Sequence, residues 1–404
     1  MSRRTPGLTT ILVVQAIVIA SFAAAWGLDS GRLTRDVAAL TTGRSVATPI
    51  EFPRRKPLTI RPLYDRPDLI SDDEVLGVLR QVQPRFAPTE MKPNHVEHAL
   101  RTWSIAARFH DANVRDGDEL ARFLTDHGSF LESWGPTIRP LLEERPTGVA
   151  IRWGAERCAS VHHDHWIASL SEAGVALDAP VFGPGRWDAT IADVLRESLR
   201  DFRLDERETE WTVLAFGLWL PPHRQWTGGD GREYSFDLLA KRLMRGHREY
   251  GVCSGTHRAY SLMALLRLDE AFPNLLSDDV QADVRTWLEE VRDLLTASQF
   301  PDGHWPSNWA DGADALTSPR TDDLSKMVIA TGHHLEWLAI APPDLHPPEE
   351  QLRRAFRWMI DTTLAQPPEA ILDRYTFFSH VGSAAATWRG TTAWEFWSRH
   401  AAGR

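Results

Sequence analysis

Cysteine is almost missing from this chain: Cys158 and Cys253 are the only two in 404 residues. That scarcity excludes a disulfide scaffold and any four-cysteine zinc module. In an oxidising compartment these two thiols could pair. Several motifs are absent too. There is no P-loop, no dinucleotide-binding fingerprint, no H-E-x-x-H and no nucleophile elbow. Nor is there an excess of positive charge: 45 Lys and Arg face 55 Asp and Glu, for a net charge of −10. Without residues 1–28 the balance becomes 43 basic against 55 acidic residues. A body this acidic repels phosphate backbones and anionic lipid, which excludes nucleic acid as a partner and a polybasic membrane anchor.

Long apolar runs are also lacking, with one exception. No charge occurs between Arg4 and Asp29, and Leu8–Leu28 has only Thr9, Thr10, Gln15 and Ser21 as polar residues. These 21 residues, at about 1.5 Å per residue, match a hydrocarbon core of roughly 30 Å. The expectation is a transmembrane signal-anchor over 1–28, contacting the membrane through residues 8–28. Arg3 and Arg4 before it favour a cytoplasmic N-terminus and an extracytoplasmic body, although Arg32 and Arg35 nearly balance them. The alternative is a secreted protein: Ile11–Ala25 has the size of a signal-peptide core, and Ala23–Ala25 suits a peptidase.

Residues 29–70 carry Pro49, Pro53, Pro57, Pro62 and Pro67 without helical periodicity. Proline restricts itself and its predecessor, so this stretch reads as a semi-rigid tether. From 71 to 404 apolar residues recur at helical spacing in blocks of 12 to 20, interrupted by Pro, Gly or Asp. Ser71 opens the first block with Asp72, Asp73 and Glu74 behind it, where acids complement the helix dipole. Further helices are expected from Asn94, over 117–134, 160–173, 188–200, 207–219, 234–247, 254–269, 277–298, 322–341 and 349–365, and over 378–399. About twelve helices and no convincing hairpin point to an all-α fold. An αα-hairpin alone buries one face only, so about six of them closing into an α/α toroid is the expected architecture. The 17 tryptophans suit a large core.

After the helix ending at Ser298 comes Gln299-Phe300-Pro301-Asp302-Gly303-His304-Trp305. This resembles the Q-x(n)-G-x-W repeat of α/α toroids of the terpenoid-cyclase and protein-prenyltransferase type. The resemblance covers one copy and implies a Gln that ties a helix end with a Trp stacked beneath it. It does not carry cyclase activity, because the D-x-D-D signature is absent. Asp72-Asp73, Asp278-Asp279 and Asp322-Asp323 are pairs at expected helix starts.

Three segments concentrate chemistry. In Tyr250–Ser261, Cys253 and His257 stand one helical turn apart, and Gly251 and Gly255 permit close approach of a ligand. A thiolate and an imidazole at this spacing suit zinc or a Cys–His nucleophile; the more ordinary reading is a small buried Cys and a His that caps or bonds a neighbouring helix. Prenyltransferases of the toroid class hold zinc with Asp, Cys and His, and lanthionine cyclases with two Cys and one His; this chain matches neither set residue by residue. In Cys158–Trp166, a helix would place His162 and His165 on one side and His163 on another. In Thr331–Trp337, His333 shares a flank with Trp337, while His334 lies at the edge of the apolar stripe.

Two function classes follow. An enzyme acting on a glycan or an isoprenoid-like substrate would use His257 or His165 as base, Tyr260 as proton donor and Arg258 against a uronate carboxylate. His333, Trp337 and Trp305 would line its cleft, and a zinc-dependent form would recruit Cys253 and His257. The alternative is a non-catalytic, membrane-tethered platform for a partner. Gathering three or more of the named histidines would favour the enzyme; scattering them beyond about 10 Å would favour the platform, since zinc ligands sit near 2 Å from the ion.

Overall fold

A helix buried on every face belongs at the centre of an all-α protein, and one with a single apolar stripe belongs outside. The computed structural model describes residues 12–21 and 50–401. Its body begins with α1 (Asp72–Gln81), α2 (Pro93–Trp103), α3 (Gly117–Thr125), α4 (His127–Trp134) and α5 (His165–Glu172). It continues with α6 (Ile191–Asp201), α7 (Glu210–Trp219), α8 (Phe236–Met244), α9 (Thr256–Ala271) and α10 (Asp278–Ser298). The short α11 (Asp314–Thr317) precedes α12 (Leu324–Leu338), α13 (Glu349–Leu364), α14 (Pro368–Asp373), α15 (Tyr375–Thr387) and α16 (Ala393–His400). Every residue of α7 is buried, and α9 and α12 are buried on nearly all faces. By contrast α10 buries one stripe, Val280, Val284, Trp287, Leu288, Val291 and Leu295.

The inner helices contact one another in cyclic order. α2 packs on α5, α5 on α7, α7 on α9, α9 on α12, α12 on α15, and α15 returns to α2. Outside them, α3 lies on α2, α6 on α5, α8 on α7 and α9, α10 on α9, α13 on α12, and α1 and α16 on α15. The protein is therefore helix-rich, with two helical layers. Eight tryptophans (Trp103, Trp166, Trp211, Trp219, Trp305, Trp309, Trp337 and Trp388) are fully buried, each removing roughly 150–250 Å² from water. Ser71 caps α1 in a reciprocal capping box with Glu74.

Several details depart from the sequence reading. Among the described residues there are three two-stranded antiparallel sheets: β1 (Leu142–Arg145) with β2 (Gly148–Ile151), β3 (Pro180–Val181) with β4 (Ala189–Thr190), and β5 (Gln225–Thr227) with β6 (Glu233–Ser235). Strands of two to four residues are too short to show alternation, but Gly228-Gly229-Asp230-Gly231 is itself a hairpin signal. The expected helix over 117–134 breaks at Asp126, whose extended backbone bridges to Phe182. The one expected over 378–399 divides at Gly390, where φ is +69°.

Residues 12–21 are helical and exposed; the rest of the expected 8–28 span, like 29–49 of the tether, lies outside the described residues. Among the described residues, no helix is long and apolar enough to cross a membrane. The tether's remaining part, 50–70, does not hang free. Arg54 donates to Trp219 O (3.0 Å), Leu58 N to Leu218 O (2.9 Å), Leu63 N to Ala339 O (3.0 Å) and Arg66 N to Trp388 O (2.8 Å). Tyr64 stacks on Trp388 and donates to Ala341 O, and Leu69 and Ile70 are buried. These acceptors sit at the C-terminal ends of α7, α12 and α15, so the segment is a strap across one end of the inner layer, supplying donors to carbonyls that a helix end leaves unpaired.

Candidate active site

On α2, Asn94, Glu97, His98 and Arg101 are spaced 0, 3, 4 and 7, which places them on one helix face. The same spacing relates His257, Tyr260 and Ser261 on α9, His333 and Glu336 on α12, and His165 and Glu172 on α5. Trp211 on α7 and His380 on α15 complete a set drawn from all six inner helices. A layer that would ordinarily be apolar is thus filled with imidazole, carboxylate and guanidinium. Gly332 admits α15 closely, since a Cβ there would stand 3.4 Å from His380 Cβ.

The rings form a continuous chain. His333 and His380 have centroids 3.5 Å apart, His257 and His333 4.1 Å, His98 and His380 5.1 Å, and His98 and His165 4.6 Å. Trp211 lies 4.2 Å from both His165 and His257. Glu336 is the hub: its Oε2 is 2.9 Å from His333 Nδ1 and 3.0 Å from His380 Nδ1, and its Oε1 accepts from Arg101 Nη1 at 3.0 Å. Arg101 Nη1 is also 3.0 Å from His380 Nδ1. Because Arg101 can donate to Glu336 instead, the geometry is satisfied with the His380 proton on Nδ1, facing the carboxylate. Arg101 Nε donates to Glu172 Oε2 (2.6 Å), and Tyr260 donates its hydroxyl proton to Glu172 Oε1 (2.6 Å). The guanidinium also lies 5.0 Å from the Tyr260 ring and 5.8 Å from that of Trp211, within cation–π range. His98 Nδ1 is held by Asn94 O at 2.7 Å, and His165 Nδ1 stands 2.6 Å from Glu97 Oε2 without hydrogen-bond alignment.

Burial pushes His98, His257 and His380 well below the ordinary imidazole range and His333 down to about 3. His165 is lowered as well, by burial that outweighs Glu97. These rings are neutral bases at pH 7. Burial and then Glu172 raise the Tyr260 hydroxyl, which stays protonated. Nε2 of His165, His257, His333 and His380 is buried without a hydrogen-bond partner, and an orphaned buried polar atom asks for a reason.

The rim is strained. Gly251, Cys253, Ser254 and Gly255 have φ of +105°, +52°, +57° and +77°, a conformation that costs Cys and Ser of order 1–3 kcal/mol each. A Cβ at Gly251 would sit 1.9 Å from Glu210 Oε1, the atom that accepts from Val252 N. Gly251→Ala is therefore expected to cost at least about 2 kcal/mol, read as a lower urea midpoint with an unchanged m-value. Beside this loop lies a surface cavity of about 570 Å³, whose lining includes Arg207, Glu210, Arg242, Arg245, Gly251 and Arg258.

Of the residues singled out from sequence, His165, His257, Tyr260 and His333 meet in the centre. Cys253 is at its edge: its sulfur, His257 and His333 offer donor atoms within 4.8 Å of one another. Burial, with Glu208, Glu210 and Glu336 nearby, raises the Cys253 thiol, which opposes a thiolate nucleophile. Cys158 is a second free thiol in different surroundings, beside Arg152. Arg258 turns away from His257 to donate to the backbone carbonyls of His247 (2.8 Å) and Arg245; it holds the 245–250 loop. Trp305 and Trp337 are apart from His333 and surround His334 with Trp309. Both indoles are fully buried and their Nε1 atoms are spent on Leu295 O and His334 Nδ1. His162 faces the centre, paired with Glu208 (2.5 Å), while His163 turns outward between Asp164 and Glu206 (3.2 Å each). Against the effect of its burial, Asp164 and then Glu206 push His163 up to about 11.

The Gln299 amide donates to Gly303 O (3.0 Å) and to Gln351 O (2.8 Å) at the start of α13, and Trp305 Nε1 donates to Leu295 O (2.9 Å). The motif thus ties the end of α10 to α13. Sequence reasoning missed Glu97, His98 and Arg101, gave His380 no role, and turned Glu336 away from His333, whereas it lies 2.9 Å from His333 Nδ1; the 0, 3, 4, 7 polar spacing on α2 was the signal that could have found the first three. A scan against family models finds no match for this chain, and searches of curated proteins and of solved structures find none either.

Proposed function

We propose that the two cyclic helix layers form an α/α toroid, and that the protein is an enzyme whose catalytic centre is the histidine–carboxylate cluster on its axis. The observation that carries this reading is the convergence of five imidazoles, each from a different inner helix, on one buried centre. An inert platform gains nothing from such a core, since buried polar groups cost stability unless fully paired, and several ring nitrogens are not paired. Neutral imidazoles oriented by carboxylates are general bases, and the protonated Tyr260 is a proton donor. A polar axis suits a glycan better than an isoprenoid chain, which would call for apolar walls. The nearby arginine-lined cavity supplies positive potential within an acidic body, which favours a glycan bearing carboxylates. A membrane tether through residues 8–28 would hold the enzyme at a surface; a non-catalytic platform is the competing reading.

The test is turnover by the full-length chain of uronate-containing oligosaccharides, with allylic diphosphates as the contrasting panel. The expected result is glycan cleavage that falls at least about 100-fold in His257→Asn and in Tyr260→Phe. Cleavage unchanged in both folded variants would remove the centre from catalysis. Glycan binding without turnover would favour the platform.

A further inference from the structure

We infer that Cys253, His257 and His333 form a divalent-cation site of the zinc type, with Glu336 as its orienting partner. This rests on the reading of the axial cluster as a functional centre and names the cofactor class that it would take. Three independent observations converge on these residues. Their donor atoms lie within 4.8 Å of one another, while ligands at roughly 2.0–2.3 Å from zinc stand within about 4 Å of each other. An inward shift of about 1 Å or less closes the set. The Nε2 atoms of His257 and His333 are fully buried and have no hydrogen-bond partner, so each holds a lone pair or a proton with nothing to receive it. The third ligand is presented by backbone in a costly conformation, with Cys253 at φ +52° and Ser254 at φ +57° between Gly251 and Gly255. The same backbone turns Ser254 O to Trp309 Nε1 (2.9 Å) and packs Cys253 on the core, and it holds the sulfur against two imidazoles.

The surroundings fit a cation. His333 Nδ1 is 2.9 Å from Glu336 Oε2, the carboxylate–histidine arrangement that fixes a ligand's tautomer and leaves Nε2 free for a metal. Arg101 holds the other oxygen of the same carboxylate, so Glu336 is anchored on both sides. Around this centre Glu172 and Glu336 share one guanidinium, Arg101, and Glu97 lies against His165, so carboxylates outnumber the fixed cation and a dication offsets the excess. Borderline ions accept one sulfur and two nitrogens, whereas magnesium and calcium demand oxygen. Three protein ligands leave a fourth position for water or substrate, the pattern of a catalytic rather than a structural zinc site.

The experiment is titration of the metal-free full-length chain, purified in mild detergent, with Co²⁺ as an optical probe. One saturable Co²⁺ per chain is expected, with visible bands of tetrahedral intensity, a sulfur-to-cobalt charge-transfer band, and displacement by Zn²⁺. Cys253→Ser should abolish the charge-transfer band, His333→Asn should abolish tight binding, and Glu336→Gln should weaken it about 10- to 100-fold. Circular dichroism on each variant separates lost binding from lost fold, and the unsubstituted chain alone decides whether a site exists. No saturable binding by that folded chain overturns the inference, as does an unchanged spectrum in folded Cys253→Ser. The two readings fail separately: glycan turnover that survives complete chelation ends the metal site and keeps the enzyme. Stoichiometric cobalt bound through Cys253 without turnover keeps the site and ends the enzyme.

Discussion

Acidification from pH 7 to about 5 is expected to unfold this protein cooperatively, well above the pH at which carboxylates alone would be titrated. His98 and His380 are held well below the ordinary imidazole range by burial, His334 is pushed down to about 3 and His95 to about 4, also by burial. None of these four belongs to the proposed metal set. The unfolded chain protonates them near pH 6.5, whereas the folded chain keeps them neutral. The unfolded state therefore binds more protons as the pH falls below 6.5, and stability present above that pH is lost in the acid direction. Each such histidine contributes a slope of up to about 1.4 kcal/mol per pH unit, so four together remove on the order of 5 kcal/mol per unit. Against a total of about 10 kcal/mol, the middle of the usual range, about two units suffice. Bound metal would steepen the loss, since protons compete for its ligands. Far-UV circular dichroism and tryptophan fluorescence against pH give the midpoint; a fold intact at pH 4 would sink this expectation.

Replacing Arg101 should have the largest effect of any single substitution. Burial alone would lower this guanidinium, but Glu172 and Glu336 more than offset it and raise it well above its ordinary value. Arg101→Leu leaves both carboxylates and the His380 contact without their cation in a buried centre. Breaking a buried pair in this way costs about 3–5 kcal/mol, or on the order of 10 °C in Tm for a domain of this size. Arg101→Lys should recover only part, because an ammonium lacks the fork that reaches Glu172 and Glu336 together. Pairing Arg101→Leu with Glu336→Gln should also regain some stability by removing one stranded charge. Sensitivity to salt should be small, since buried pairs are weakly screened. A melt of Arg101→Leu within 2–3 °C of the unsubstituted protein would mean that water already reaches these groups.

How much of this was legible in the sequence depends on how local each feature is. The Ser71 cap with its first-turn acids is a local device, and it forms the capping box that such residues make. The helical blocks were readable because a 3.6-residue period lies within one segment. The break at Asp126 was not, because it answers a bridge to Phe182 that no window around 126 contains. Prolines in 50–70 disclosed an extended backbone, but not the helix ends on which it lies. His165, His257 and His333 stood out because they sit in conspicuous runs of polar or histidine-rich sequence. Glu97, His98 and Arg101 did not, because the stripe on α2 acquires meaning only when α15 and α5 flank it. Arg258 was singled out for its chemistry and lies elsewhere, since adjacency to His257 along a helix turns a side chain by about 100°; Trp337, on the flank of His333, is instead spent on a hydrogen bond to His334 Nδ1 (3.1 Å).

The closed order of the inner helices also constrains how the molecule comes into being. The cluster takes Glu97 and His98 from the second helix of the body and His380 from the second-last, and α15 must meet α2 to complete it. During synthesis, every intermediate length short of about 390 residues lacks a wall of the centre, and its imidazoles and carboxylates remain in water. No partial product holds the complete cluster, and the proposed metal set lacks its full surroundings until the last turns have emerged. The long sequence separation of α2 and α15 makes that final closure slow relative to helix formation, leaving the apolar faces by which these helices pack on one another open to chaperones or to aggregation in the meantime. A nick or truncation after α13 should do more than shorten the protein: it should return the whole centre to the nascent, solvated state.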